Sequence, residues 1–257
     1  MIFPKNRKSL NIIDINDTLL SQSFLEICNN VVDDYCFSIW AFEAAYSIGI
    51  SVPTSINQHP ILEKAFPRLS IEDERSAVLI IRLFVVGNII PKQEFFQFLS
   101  DQRPNVSSHA CWALHVISLR PNGSRFLFEN QMIEPLIICS TSSFTSYSGK
   151  IHAASALIRI LKEGISQGFI STESVIFSNL ITSIPPMLDL QNSEINKSIL
   201  ELLLWTLTLP SLDSTPLKKK LIDQLLSDDI SDLLNGIIYS ESSLSQITNQ
   251  ILDLISS

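Results

Sequence analysis

Two stretches decide how this chain is read. His109-Ala110-Cys111-Trp112-Ala113-Leu114-His115-Val116-Ile117 and His152-Ala153-Ala154-Ser155-Ala156-Leu157-Ile158-Arg159-Ile160 share the pattern His-Ala-x-x-Ala-Leu-x-x-Ile at an offset of 43 residues. Both carry apolar residues at helical spacing. A helical pattern that returns at such a period marks stacked repeats, because one unit cannot bury its apolar face alone.

The surrounding chain agrees. Of 257 residues, 46% are hydrophobic and 17% charged, so the chain holds a packed core rather than a disordered tract. Only 7 glycines are present, fewer than a protein of many tight β-turns needs. No segment alternates strictly enough for a strand. The formal net charge of −8 argues against a general phosphate-backbone binder and leaves open a basic protein or peptide partner. The longest apolar run, Ala77 to Ile90, is broken by Arg82 and is too short to span a bilayer. Met1 to Ser9 reads as a short tail, without the apolar run and cleavage site of a signal peptide. Cys28, Cys36, Cys111 and Cys139 sit among apolar residues, with no Cys-x-x-Cys. They read as buried, reduced thiols of a cytoplasmic or nuclear protein.

Working outward, helices are expected from Leu10, with Leu19, Leu20, Phe24, Leu25 and Cys28 inward, and from Tyr35 to Ile48, capped by Asp33 or Asp34. Gly49 and Pro53 are expected to stop the second. Pro60 opens a short helix, Ile61 to Arg68. Ser70 and Asp73 form a capping-box pattern before Ile71 to Val86, which is apolar almost all round. Lys92 to Ser100 should turn Phe95, Phe96 and Leu99 inward. Val106 to Leu119 follows, and Pro121-Asn122-Gly123 breaks it. Ser140 to Ser148 reads as a loop anchored only by Phe144. Lys150 to Glu163 repeats the long helix. Thr172 to Met187, Ser193 to Leu209, Leu217 to Ser227, Ile230 to Ile238 and Glu241 to Ile255 complete the chain, with Thr215-Pro216 as a helix start. Long helices thus begin near residues 34, 71, 106, 150, 194 and 241, in steps of 35 to 47 residues. Armadillo and HEAT units run about 40 to 47.

Phe98-Leu99-Ser100-Asp101, followed by Asn105-Val106-Ser107-Ser108-His109-Ala110-Cys111-Trp112-Ala113-Leu114, resembles an armadillo repeat. In that family a second helix ends in Leu-Leu, a polar turn follows, and the third helix carries Ala-x-Trp-Ala-Leu. Asn130-Gln131-Met132-Ile133-Glu134-Pro135-Leu136-Ile137 is similar to the opening of a next repeat, and Trp40-Ala41-Phe42 lies in a third match. The resemblance implies an all-α, right-handed α-solenoid of about five to six armadillo/HEAT-like repeats over residues 10–257. Its third helices would line a concave groove for an extended protein segment. Importin-alpha members follow the groove tryptophan with asparagine four residues later. Here Ala44 follows Trp40 and Val116 follows Trp112, while Ser155 and Arg159 take those places in the repeat at Lys150 to Glu163.

Trp40, Glu43, Trp112, His115 and Arg159 are therefore the groove candidates. At helical spacing beside alanine, both tryptophans also read as core, and Glu43 and His115 as a solvated helix face. His109 and His152 hold equivalent positions, which suggests a structural role. Lys218-Lys219-Lys220 reads as a solvated first turn that opposes its helix dipole. No glycine-rich phosphate loop, Gly-x-Ser-x-Gly or His-Glu-x-x-His occurs, so no catalytic residue, cofactor or metal is expected. The expected function is a non-catalytic protein-binding scaffold or adaptor, with no nucleic acid and no membrane. A nuclear-transport adaptor of importin-alpha type and a structural subunit of a larger complex are the alternatives.

Overall fold

The computed structural model describes residues 18–31, 38–51, 56, 59–87, 92–189, 192–213 and 215–256. Among these the chain is all-helical, with no strand. It divides into two compact units, Met1–Pro91 and Lys92–Ser257, a boundary that falls inside the expected 10–257 domain.

The first unit holds α1 (Thr18–Val31), α2 (Ser38–Ser51), α3 (Ile61–Arg68) and α4 (Glu74–Gly87). The expected beginning of α1 near Leu10 and the caps Asp33 and Asp34 lie outside the described residues, as does Pro53. Leu25 and Cys28 are buried as expected, but Phe24 is exposed, since the buried stripe runs through Ser21, Leu25 and Cys28 instead. Gly49 does not stop α2. The helix continues to Ser51, and a Cβ on Gly49 would lie 2.9 Å from both Ile56 and Val86, so glycine serves close packing there. The start of α4 is also shifted. Asp73 is its cap, its carboxylate accepting from the Ser76 N–H at 2.8 Å, while Ser70 accepts from Glu72 N–H one turn earlier. From Ser76 to Val85 only Arg82 is not fully buried, which matches a helix apolar almost all round.

The second unit runs α5 (Lys92–Leu99), α6 (Pro104–Ser118), α7 (Gly123–Glu129), α8 (Ile133–Thr141), α9 (Tyr147–Ser166), α10 (Val175–Ser183), α11 (Ser193–Leu207), α12 (Pro216–Leu225), α13 (Asp228–Ser240) and α14 (Ser245–Ser256). Short 3₁₀ turns at Pro185–Asp189 and Pro210–Leu212 follow α10 and α11, where proline withholds its N–H. In α5 the inward residues are Phe95, Phe98 and Leu99. Phe98 displaces the expected Phe96 because it completes the i, i+3, i+4 stripe with Phe95 and Leu99, and it meets Phe95 edge to face, ring centres 6.2 Å apart. Phe144 is no anchor: it is exposed, and Thr145 is the buried residue of that loop. Ser146 then accepts from Gly149 N–H at 3.2 Å and starts α9 three residues earlier than expected. Thr215 caps α12 through Lys218 N–H at 3.2 Å, with Pro216 at its first position, as expected.

The 20-residue α9 is the centre of this unit, packing on α6, α7, α8, α10 and α11. Among the described residues, hydrogen bonds between distant parts of the unit include Ser108 with Ser146, Cys139 with Leu99, Arg159 with Ser118, Lys162 with Glu201, Asn196 with Glu241, and Gln224 with Thr182. They join residues 38, 40, 41, 39, 45 and 42 apart. Cys28, Cys111 and Cys139 are buried and unbridged, and Cys36 lies outside the described residues. A hydrogen bond with Cys139, together with burial, pushes the Cys111 thiol up, so it stays protonated.

Between α6 and α7 the chain reverses through Asn122, in the left-handed region at φ 59°, and Gly123. A Cβ on Gly123 would sit 1.8 Å from the Ile117 carbonyl oxygen, which is backbone and cannot move aside. Gly236, inside α13, faces open space. Gly123→Ala should therefore cost about 2 kcal/mol or more through overpacking. Gly236→Ala should stabilise by about 0.5–1 kcal/mol through helix propensity. Urea unfolding of the two variants beside the parent checks both signs.

Candidate functional site

Small residues let α6 and α9 lie close. Ala110, Ala113, Ala153, Ala154 and Ala156 are buried, and a Cβ on Gly149 would press 2.7 Å from Ser108 Oγ. Three contacts then give the register. Ser108 Oγ and Ser146 Oγ are 2.5 Å apart, the His115 and His152 rings are centred 5.4 Å apart, and Arg159 Nε donates to the Ser118 carbonyl at 2.8 Å. Numbers rise together along both helices, so α6 and α9 run parallel. The two quoted stretches are thereby side by side, with Trp112 and Ser155 half-exposed on the paired helices.

This face gathers three of the expected groove residues: Trp112, His115 and Arg159. His109 packs edge-on against Trp112, ring centres 6.3 Å apart, and its Nδ1 is 2.8 Å from the Asn105 carbonyl. His115 is not a solvated residue. It is half-buried against His152, and its Nδ1 has no hydrogen-bond partner among the described residues. Arg159 caps the end of α6, where carbonyls lack helical partners, and pairs with Glu163 at 2.7 Å. It joins two helices while leaving part of its guanidinium to solvent.

Trp40 and Glu43 belong to the first unit. Trp40 is 65% exposed, so it is not core. Arg75 from α4 lies over its ring at 5.8 Å and bonds Glu43 Oε1 at 2.6 Å. Three residues further along α2 from Glu43, Arg82 lies 5.7 Å over the ring of Tyr46.

One surface went unread in the sequence. Lys162, Ile165 and Ser166 of α9 and Glu201, Leu202 and Trp205 of α11 line a cleft of about 330 Å³. Its signal was the Glu201–Trp205 spacing of one helical turn inside an otherwise apolar segment. Two further clefts adjoin the start of α12, lined in part by Lys218, Lys219 and Lys220. Lys218 pairs with Asp213 at 2.5 Å, and its two neighbours are exposed. Among the described residues no group of three or more His, Cys, Asp or Glu could hold a metal ion, and no helix is long and apolar enough to cross a membrane.

No protein-family profile matches the chain, and no curated protein matches it. Two crystal structures of engineered proteins from the Northeast Structural Genomics Consortium are similar to it at 16% identity. One covers 96% of this chain and 93% of its own, with a TM-score of 0.43. The other covers 91% and 68%, with a TM-score of 0.46.

The histidines make the α6–α9 contact pH-dependent. Burial, then the charges of neighbouring His152 and Arg159, hold His115 below the ordinary imidazole range, and burial with His109 does the same for His152. The unfolded chain binds these protons first, so stability is complete above the ordinary histidine pKa of about 6.5 and is lost as pH falls toward the folded values. Asp101, held down by its bond to Arg103, acts only in the lower carboxylate range. Unfolding measured from pH 7.5 to 5 should show declining stability. His115→Gln with His152→Asn should flatten that slope, leaving the part due to His59, which burial also lowers.

Proposed function

We propose that this protein is a non-catalytic scaffold or adaptor that binds an extended, basic segment of another protein. In this reading its helices are armadillo-like repeats forming a right-handed solenoid, and α6, α9 and α11 are the third helices of successive units. The partner segment crosses them, touching Trp112, His115 and the exposed edge of Arg159. A cytoplasmic or nuclear setting goes with this role.

The parallel register of α6 and α9 carries the proposal. Parallel neighbours present the same helical edge at each step, so equivalent side chains recur along one face, as an extended ligand requires. The contacts that follow, Lys162 to Glu201 and Asn196 to Glu241, continue the step at 39 and 45 residues. The net charge of −8 favours basic segments in the encounter. A structural-subunit reading would need the apolar run Ile199 to Leu209 to form a face covered by a partner. Ile199, Leu200, Leu202, Leu203 and Leu207 are buried within the second unit, where α11 packs on α9 and α14, so that run needs no outside partner.

A random extended-peptide library panned on the immobilised full chain tests the proposal. Enriched peptides should lose about tenfold or more in affinity to Trp112→Ala, the expected cost of removing an aromatic anchor. They should be insensitive to Ile138→Asp, an exposed position on α8. Peptides indifferent to Trp112 and blocked by Ile138→Asp, or an absence of enriched peptides, would overturn it.

A further inference from the structure

The first unit shows what an indole and a carboxylate one turn apart do when a guanidinium is in reach. Arg75 lies over Trp40 at 5.8 Å and bonds Glu43 at 2.6 Å. Glu201 and Trp205 bring the same two side-chain types one turn apart on α11, in the reverse order and four residues apart rather than three, but among the described residues no cation lies over the Trp205 ring. The cation beside Glu201 is Lys162, in a single contact of 3.4 Å with both side chains close to half-exposed. Trp205, 37% exposed, instead borders the open cleft of about 330 Å³.

We infer that this cleft receives an arginine side chain from a partner's extended segment, the guanidinium lying on Trp205 and donating to Glu201. The inference rests on the scaffold reading and names one contact within it. Ile165 and Leu202 floor the cleft and suit the aliphatic stem of an arginine. The volume is at the lower end of the range that holds small ligands, about 300–1,000 Å³, so one side chain has room to enter. Arginine is favoured over lysine because its planar fork can stack and donate at once, whereas a second ammonium would only replace Lys162. Displacing Lys162 costs little, since an exposed, long ion pair contributes little. Charge supports the direction: the chain carries 26 acidic and 18 basic side chains.

Indole N–H signals of the full chain, recorded by NMR, test this site, with Trp205→Phe assigning its resonance. The probes are the N-acetyl methylamides of arginine, lysine, citrulline and norleucine. The arginine probe should shift the Trp205 signal saturably, with the lysine probe about tenfold weaker and citrulline not saturating. Glu201→Gln should weaken arginine binding about tenfold, the other two indole signals reporting that the fold is kept. Lys162→Ala should leave arginine binding unchanged or tighten it slightly, by no more than about twofold, because the displaced ion pair contributes little. Equal response to norleucine, weaker binding in Lys162→Ala, or no Trp205 shift would each overturn the inference. If panned peptides depend on Trp112 while Trp205 ignores the arginine probe, the arginine site is wrong and the scaffold reading stands. If panning enriches nothing, the scaffold reading itself fails.

Discussion

An amphipathic helix has an apolar face that it cannot cover by itself, and in the second unit α9 covers those of α6, α7 and α8, while α11 packs on α9 and α14. Hydrogen bonds between distant parts of the second unit, among the described residues, include ones that span 38 to 45 residues and link different helices and different chemistries. Burial supplies the drive, at about 25 cal/mol per Å² of apolar surface removed from water. Where such a hydrogen bond is buried, as Cys139 with the Leu99 carbonyl is, it also fixes the register, because a buried acceptor left unpaired is costly. Arg159 shows both at once: its stem crosses from α9 to α6, and its guanidinium satisfies the Ser118 carbonyl.

Much of this was legible because it is local or periodic. The cap at Thr215 with Pro216, the helix Ile61–Arg68 and the all-round apolar α4 follow from adjacent residues alone. The misses arise where a tertiary contact intervenes or a local pattern is ambiguous. Gly49 reads as a helix stop until Ile56 and Val86 are seen to press on it. Phe98 rather than Phe96 faces inward because it completes the i, i+3, i+4 stripe with Phe95 and Leu99, a spacing that run of phenylalanines leaves ambiguous. Capping box and simple cap look alike in sequence at Ser70 and Asp73, and only the Ser76 N–H contact separates them.

The site was harder to read. The spacing of His109 and His152 suggests equivalent places, but His152 meets the His115 ring across the helix pair, an interaction the repeat pattern does not encode. Trp40 and Trp112 look alike in sequence, yet one is open under Arg75 and the other half-buried beside His109. Trp205 was hidden by its apolar neighbours. Exposure depends on which helix lies opposite, and no local pattern reports that.

The binding proposal stands on α6 and α9 pointing the same way, since only then do equivalent edges line one face. Spin-label distances between exposed positions test this most directly. Labels at Asn105 and Ser148, and at Leu119 and Lys162, should each report the spacing of adjacent helices, about 8–10 Å plus label length. Labels at Asn105 and Lys162 should lie farther apart by a helix length, about 20 Å along the axis. If the Asn105–Lys162 pair proved as close as the other two, the helices would cross or oppose one another, and the account of a repeating binding face would be wrong.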